Sequence, residues 1–143
     1  MEDQQKLEEM MTELNVYKSQ AEMLQQQAET IQASIAEVNI LESTIKDMKE
    51  KDTVDSLVPV GAGAFMKGEI KDTSTIVMSV GAGIAISKNV EEAKETIESQ
   101  RNDLEDSLDK TLENLQKITD VIGQLSPQAE QLMAKLQSQG RMS

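Results

Sequence analysis

Two glycine doublets are the residues of this 143-residue chain whose spacing could support chemistry. Each lies in a Val-Gly-Ala-Gly motif, at residues 60–63 and 80–83, and glycine-rich loops can cradle nucleotide phosphates. A dinucleotide-binding loop would need a further glycine where the chain has Met66 and Ile86. A P-loop would need a Ser or Thr directly after its lysine, but Lys67 is followed by Gly68. The spacing therefore argues against nucleotide binding, and the glycines indicate turns.

The composition removes most other catalytic chemistry. The chain has no His and no Cys, so imidazole proton shuttles, thiol nucleophiles and most zinc sites are not available to it. Its 26 acidic side chains are expected to solvate helix faces, and the net charge of −12 argues against binding nucleic acid or an anionic membrane surface. We predict no enzymatic activity, no metal and no cofactor.

No stretch of the sequence predicts a membrane span. The most apolar run, residues 76–86, is far shorter than the roughly 20 residues that a span needs, and the first twenty residues have no apolar signal core. We expect a soluble, cytoplasmic protein.

The charge divides the chain into three segments. Residues 1–52 carry 12 acidic and 5 basic side chains, residues 53–88 carry 3 of each, and residues 89–143 carry 11 and 6. We expect a single domain over residues 1–143, in which two acidic helices flank a neutral double β-hairpin, which we call the hub (residues 53–88).

The first segment carries a sustained heptad pattern. Eleven of its twelve a and d positions are apolar or aromatic, which is typical of a coiled-coil seam. The a positions are Leu7, Leu14, Ala21, Ala28, Ile35 and Glu42, and the d positions are Met10, Tyr17, Leu24, Ile31, Val38 and Ile45.

The third segment repeats the pattern, with Thr111 as its one polar seam residue. Asn89 followed by Glu92 predicts a helix N-cap. The seam residues are Leu104, Leu108, Thr111, Leu115, Ile118, Ile122, Leu125, Ala129, Leu132 and Leu136, and the pattern continues upstream more loosely through Val90, Ala93 and Ile97.

Gly123 and Pro127 interrupt this second seam. A proline removes a helix hydrogen bond and costs about 3 kcal/mol in a helix interior. Because the heptad phase continues beyond it, we expect a kinked or restarted helix, with Ser126 as the new N-cap.

Each helix has one apolar stripe and therefore needs a partner. Because the short hub joins the two runs, we expect them to pair antiparallel within the chain, with Leu7 near Leu132. An intermolecular parallel dimer is the alternative, and the 36-residue insert would interrupt it awkwardly.

The pairing brings both chain ends together at what we call the tip (residues 1–14 and 129–143). Several of its apolar residues suit either seam packing or binding, whereas Met11, Met133 and Met142 lie off the strict seam and favour binding because Met adapts to irregular apolar partners. The candidate binding residues are Leu7, Met10, Met11, Leu14, Leu132, Met133, Leu136 and Met142.

The hub predicts two β-hairpins with glycine at positive φ in each turn, and Pro59 indicates an edge strand. In the second hairpin we expect Ile76, Met78, Val80, Ile84 and Ile86 on one face. Isolated hairpins are marginal in water and their open edges recruit other strands, so the hub is expected to pair with hubs of other chains. The candidate assembly residues are Leu57, Val58, Val60, Phe65, Met66, Ile70, Ile76, Met78, Val80, Ile84 and Ile86.

At this point the residues resemble a known family. Two coiled-coil arms, the segment Leu57-Val-Pro-Val-Gly-Ala-Gly-Ala-Phe-Met-Lys-Gly68, the second motif Val80-Gly-Ala-Gly83 and Glu-Glu-Ala at 91–93 are similar to archaeal prefoldin subunits. The resemblance covers essentially the whole chain, and two hairpins favour the alpha type over the beta type.

The resemblance implies a mainly α fold, in which a long antiparallel coiled-coil hairpin ends in two β-hairpins that join an inter-subunit β-barrel. It implies a hetero-hexamer of two alpha and four beta subunits. It also implies an ATP-independent chaperone that captures non-native proteins at its tips and transfers them to a group II chaperonin. The alternative is a structural coiled-coil spacer or adaptor subunit. A loosened tip bearing methionines favours the chaperone.

Overall fold

The chain folds into two long α-helices joined by two β-hairpins, in a computed structural model that describes residues 2–140. The elements are α1 (Glu2–Met48), β1 (Val54–Gly61), β2 (Ala64–Ile70), β3 (Thr75–Gly81), β4 (Ile84–Asn89) and α2 (Val90–Ser138). The predicted mainly α fold with two hairpins is confirmed. Among residues 2–140, neither helix has an apolar stretch long enough to cross a membrane.

The chain forms two compact units, and both helices contribute to each. The distal unit comprises Met1–Gln32 and Glu105–Ser143, and the hub unit comprises Ala33–Leu104. Each unit has its own apolar core. The assignment of the whole chain to one domain stays a prediction.

In the distal unit, the start of α1 packs antiparallel on the end of α2. Leu7, Met10 and Leu14 form a buried cluster with Ala129 and Leu136. The predicted intramolecular pairing is therefore confirmed for this unit, and the seam residues of α2 from Leu108 to Leu136 are all buried or half-buried.

Helix α2 continues through Gly123 and Pro127 without a break, so the restart is wrong and the kink stays a prediction. The proline ring crowds the carbonyl of the residue four positions earlier, which is Gly123. Because glycine has no side chain, its peptide can tilt away from the ring at low cost. Ser126 lies inside the helix and does not cap it.

In the hub unit, the second hairpin packs onto both helices. Ile45, Met78, Ala93 and Ile97 form the buried core, and Val38, Leu41, Ile76 and Val90 pack against it. The predicted N-cap is confirmed, because Oδ1 of Asn89 accepts a hydrogen bond of 2.8 Å from the backbone N–H of Glu92.

The first seam departs from its predicted phase in the hub unit. Leu41 is half-buried against the core, whereas Glu42 is exposed and forms an ion pair of 2.9 Å with Arg101. The placement of Glu42 in the seam is therefore wrong. A helix turns every 3.6 residues, so the buried stripe drifts away from a strict 3.5-residue repeat and reaches the apolar side chain next to Glu42.

Arg101 ties the two helices together at this point. Its Nε donates a hydrogen bond of 3.0 Å to Oδ1 of Asn39, while Nη2 contacts Glu42 Oε2 in the ion pair. Nη2 is buried and makes no aligned hydrogen bond, so the contact with Glu42 is chiefly electrostatic.

Both hairpins turn through the same backbone conformation. Gly61 and Gly63 have φ of 117° and 78°, and Ala62 between them also has a positive φ, of 48°. Positive φ was predicted for the glycines, but the same conformation at Ala62 and Ala82 was not. The left-handed conformation costs a non-glycine residue about 1–2 kcal/mol, so each alanine is a strained position in a tight two-residue turn.

Candidate functional site

The tip residues predicted for binding are mostly inside the distal core. Leu7, Met10, Leu14 and Leu136 are buried, and Leu132 is half-buried against them. In this conformation the four buried side chains offer a binding partner almost no surface. They pack as seam residues because each helix must cover its apolar stripe.

The off-seam methionines divide between core and surface. Met11 is 38% exposed, as expected for a residue off the seam. Met133 lies off the strict seam as predicted but is half-buried and packs against the distal cluster, so only part of its side chain is exposed. It follows the seam residue Leu132 directly, and the apolar stripe of a helix is wider than a strict a/d line. Met142 lies outside the described residues.

A small groove crosses the helix pair at the tip. It has a volume of about 290 Å³ and lies beside an ion pair of 3.1 Å between Lys135 Nζ and Asp3 Oδ2. The groove is lined by Lys6, Met10, Gln128, Gln131, Leu132 and Lys135. Four of these side chains are polar or charged and two are apolar.

Sequence reasoning missed Met23 on the distal unit. It is 61% exposed, and grooves of about 400 and 430 Å³ adjoin it. The signal was present in the sequence, because Met23 falls between the seam positions Ala21 and Leu24 in a glutamine-rich stretch. At this position the large apolar side chain lies on the surface of the helix pair.

The hub residues are largely exposed. Nine of the eleven candidate assembly residues lie on the surface of the free chain, namely Leu57, Val58, Val60, Phe65, Met66, Ile70, Val80, Ile84 and Ile86. Ile76 and Met78 instead pack against the chain's own helices. Contiguous exposed apolar residues of this kind mark an interaction surface.

The second hairpin does not place its predicted face together. Met78 and Ile86 are direct partners on one face, but the pairing shifts between Ser79 and Gly81. The extra residue lies in β3, so this β-bulge breaks the alternation on which the prediction for Val80 depended, whereas Ile84 and Ile86 keep one face of β4. Val77, on the opposite face from Met78, is highly exposed and was missed because serine and threonine neighbours made that face read as polar.

The loop between the hairpins is held by its own side chains. Asp72 accepts hydrogen bonds from the hydroxyl and the backbone N–H of Ser74, at 2.6 and 2.9 Å, and these hold the pKa of Asp72 below its ordinary value. Thr73 donates a hydrogen bond of 2.7 Å to the carbonyl of Lys51. The loop therefore fixes where the first hairpin leaves the end of α1.

Two long helices that bury their seam, joined by hairpins that leave their apolar surface exposed, define a coiled-coil subunit built to associate with other polypeptides. A family model described as prefoldin subunit matches residues 17–135. Because the match covers most of the chain, the chain belongs to the prefoldin family, which is a family of chaperones and not of enzymes.

Individual relatives agree along the full length. The chain is 54% identical over 143 residues to prefoldin subunit alpha of Methanobrevibacter smithii, covering 100% of this chain and 97% of the relative. It is 30% identical over 136 residues to prefoldin subunit alpha of Pyrococcus horikoshii, covering 94% and 92%. A cryo-EM structure of filamentous prefoldin from Methanocaldococcus jannaschii is similar with a TM-score of 0.54 and 28% identity, covering 85% of this chain and 95% of that one.

Proposed function

We propose that this chain is an alpha-type prefoldin subunit that assembles with beta-type subunits into a hetero-hexamer of two alpha and four beta chains. The exposed apolar hairpins carry the proposal, because nine candidate hub residues lie on the surface of the part of the chain that the structure describes. A β-barrel built from hairpins of several subunits would cover these side chains and pair the open strand edges.

The assembled complex acts in the cytoplasm as an ATP-independent holdase. It captures non-native proteins at the tips and transfers them to a group II chaperonin. Met11 and the half-buried Leu132 and Met133 support capture at the tip, because they offer apolar surface at the chain ends. Several tips that hold one client gain avidity, since each further contact is intramolecular.

The four buried tip residues contribute to capture only when the helix ends separate. Closure of the tip thus competes with client binding, and an apolar client replaces contacts that the two helices make with each other. The acidic surface of the helices keeps the complex in solution while apolar surface is exposed.

The closed tip also supports a second candidate function, a coiled-coil spacer or adaptor subunit. A spacer needs a sealed seam and no client surface, which is the arrangement of Leu7, Leu14 and Leu136. An assay of capture separates the two candidates.

The test is suppression of aggregation of a denatured test protein by the complex of this chain with a beta-type partner, without ATP. We expect near-stoichiometric suppression, loss of it on deletion of residues 1–11 and 131–143, and intact assembly. Full suppression by the truncated complex would exclude capture at the tip. Normal assembly without any suppression by the intact complex would favour the spacer.

Point variants sharpen this test without disturbing the distal core. Met11→Gln removes exposed apolar surface at the two alpha tips and is expected to weaken client binding by about 1–2 kcal/mol per occupied alpha tip. Ile40→Gln is the matched control, because Ile40 is exposed on the same helix but belongs to the hub unit. Equal losses in the two variants would argue against a tip-specific site. Release of bound client on addition of a group II chaperonin tests the transfer step.

A further inference from the structure

The first hairpin, formed by β1 and β2, carries apolar side chains on both faces. Direct partners in an antiparallel ladder share a face, and successive pairs alternate between faces. Val58 pairs with Met66 on one face, and the next pair, Pro59 with Phe65, lies on the other, which Leu57 shares. Leu57 and Phe65 are 65% and 58% exposed, and Met66 is 63% exposed, so residues 2–140 leave both faces open.

The second hairpin differs because the chain's own helices already cover part of one face, although Ile84 and Ile86 on that face stay exposed. Ile76 and Met78 pack against the hub-unit core, while Val77 is the only large apolar residue among the small and polar side chains of strand β3 on the other face. One packed face and one largely polar face is the usual arrangement of an antiparallel sheet. The first hairpin therefore depends on other chains for cover on both sides.

One face of the first hairpin also carries two opposed carboxylates. Asp55 and Glu69 are direct partners in the ladder, on the same face as Leu57 and Phe65. Like charges directly opposite each other destabilise a strand pair. Among residues 2–140, neither carboxylate lies within the 4.0 Å of a cationic group that defines an ion pair, although Lys67 shares their face.

One of the two carboxylates, Asp55, lines an open groove. A depression of about 450 Å³ lies along the paired strands, lined by Asp55, Ser56, Leu57, Lys67 and Gly68. Ser56 and Gly68 are direct partners on the opposite face, so at this point the strands carry no large side chain, and a Cβ at Gly68 would lie 3.2 Å from the Val58 side chain on that opposite face. An extended strand laid across the carboxylate-bearing face would meet apolar side chains at one end and two acidic groups at the other.

We infer that this surface, the acidic hairpin face (Asp55, Leu57, Phe65, Lys67 and Glu69), binds a β-strand of a non-identical prefoldin subunit that carries a Lys or Arg beside an apolar side chain. The apolar side chain covers Leu57 and Phe65, and the cation lies between the two carboxylates. The inference rests on the proposed assembly through the hub and adds what the partner strand must contain.

Charge makes this face selective. A neutral or acidic strand would desolvate both carboxylates without compensation, and burying unpaired charges is costly. A second copy of this chain fits less well, because two acidic hairpin faces together bring four carboxylates and only two copies of Lys67. A partner strand with its own cation converts the repulsion between Asp55 and Glu69 into two attractions.

The test uses a double variant that carries both Asp55→Asn and Glu69→Gln. This variant and the unaltered chain are each titrated with an archaeal beta-type prefoldin subunit, and complex formation is measured by native mass spectrometry. We expect the dissociation constant to rise about 10-fold at about 50 mM salt and less than about 3-fold at about 500 mM, because salt screens the lost attraction. Removing a repulsive pair does not destabilise the free hairpin, so weaker assembly cannot come from misfolding.

The matched control neutralises two exposed acids just before the hairpin, Glu50→Gln with Asp52→Asn, and is expected to leave the dissociation constant unchanged within about 2-fold. Unchanged or tighter assembly of the hairpin variant relative to this control overturns the inference. The inference is also overturned if the hairpin variant weakens self-association of this chain as much as it weakens assembly with the beta-type subunit, because the cation would then lie on a second copy of this chain. If the unaltered chain forms no complex with the beta-type subunit, the proposed function fails instead.

Discussion

Replacing Leu14 by alanine should open the tip without unfolding the hub unit. Leu14 is 3% exposed in the distal cluster. The substitution removes about three methylene equivalents at roughly 0.8 kcal/mol each, and a cavity adds to that cost. Because the seam between two helices is open at its sides, neighbours and water can fill the space, and we expect a loss of about 2–3 kcal/mol.

Such a loss is measurable as faster amide hydrogen exchange in the assembled complex. Since 1.4 kcal/mol is a factor of ten, the amides of α1 up to Leu14 and of α2 beyond Ala129 should exchange about 30 to 150 times faster. Amides around Ile45 and Ala93 belong to the hub unit and serve as an internal standard whose exchange should not change.

The matched control is Met11→Ala, one helical turn earlier. Met11 lies partly in solvent and outside the buried cluster, so its truncation should accelerate exchange by less than about 5-fold. If Leu14→Ala left exchange at the tip unchanged, or if both variants had the same effect, the two helices would not be closed around Leu14 as the structure shows. The same variant also tests the proposed competition, because an opened tip should capture a denatured client more readily.

Two further predictions concern the hub unit. Asn89→Ala removes the hydrogen-bond acceptor of the Glu92 N–H and should destabilise the start of α2 by about 1 kcal/mol. Amide hydrogen exchange in the first turn of α2 should then be roughly 5-fold faster. Unchanged exchange would show that the cap does not stabilise the helix. The carboxyl of Asp72 should titrate by NMR below its ordinary pKa, and Ser74→Ala should raise that pKa towards the ordinary value. Because the folded-state pKa is depressed, the stabilisation is present above the ordinary pKa and is lost as the pH falls through the depressed one. The same Asp72 pKa in the unaltered chain and in the Ser74→Ala variant would show that Ser74 does not lower it.

Periodicity was enough to predict the helices and their pairing because each seam residue repeats a simple requirement. Residues such as Leu108, Ile122 and Leu136 must be apolar wherever the two helices meet, and the pattern shows that directly. The strict repeat failed at Glu42, where only the accumulated rotation of a real helix decides which neighbour faces inward. It also did not predict that Met133 is half-buried, since the width of the buried stripe depends on how closely the helices approach.

The hub shows a different limit. Alternation predicted that Met78 and Ile86 share a face, which the structure confirms, but it could not say whether the chain's own helices or another chain covers that face. That choice depends on long-range packing between β3 and residues such as Ala93 and Ile97, far along the sequence. The positive φ of Ala62 was equally hidden, because alanine alone gives no signal for the left-handed conformation.

The distal unit and the hub unit treat their apolar side chains in opposite ways. At the tip, Leu14 and Leu136 are covered by the chain's own helices, so their exposure requires an opening step with a definite free energy. At the hub, Leu57 and Phe65 are exposed in the folded chain, so burying them requires no unfolding and only the arrival of another strand. Association through the hub should therefore precede capture at the tip, because its surface is ready in the single subunit, while capture gains from the avidity that only the assembled tips provide.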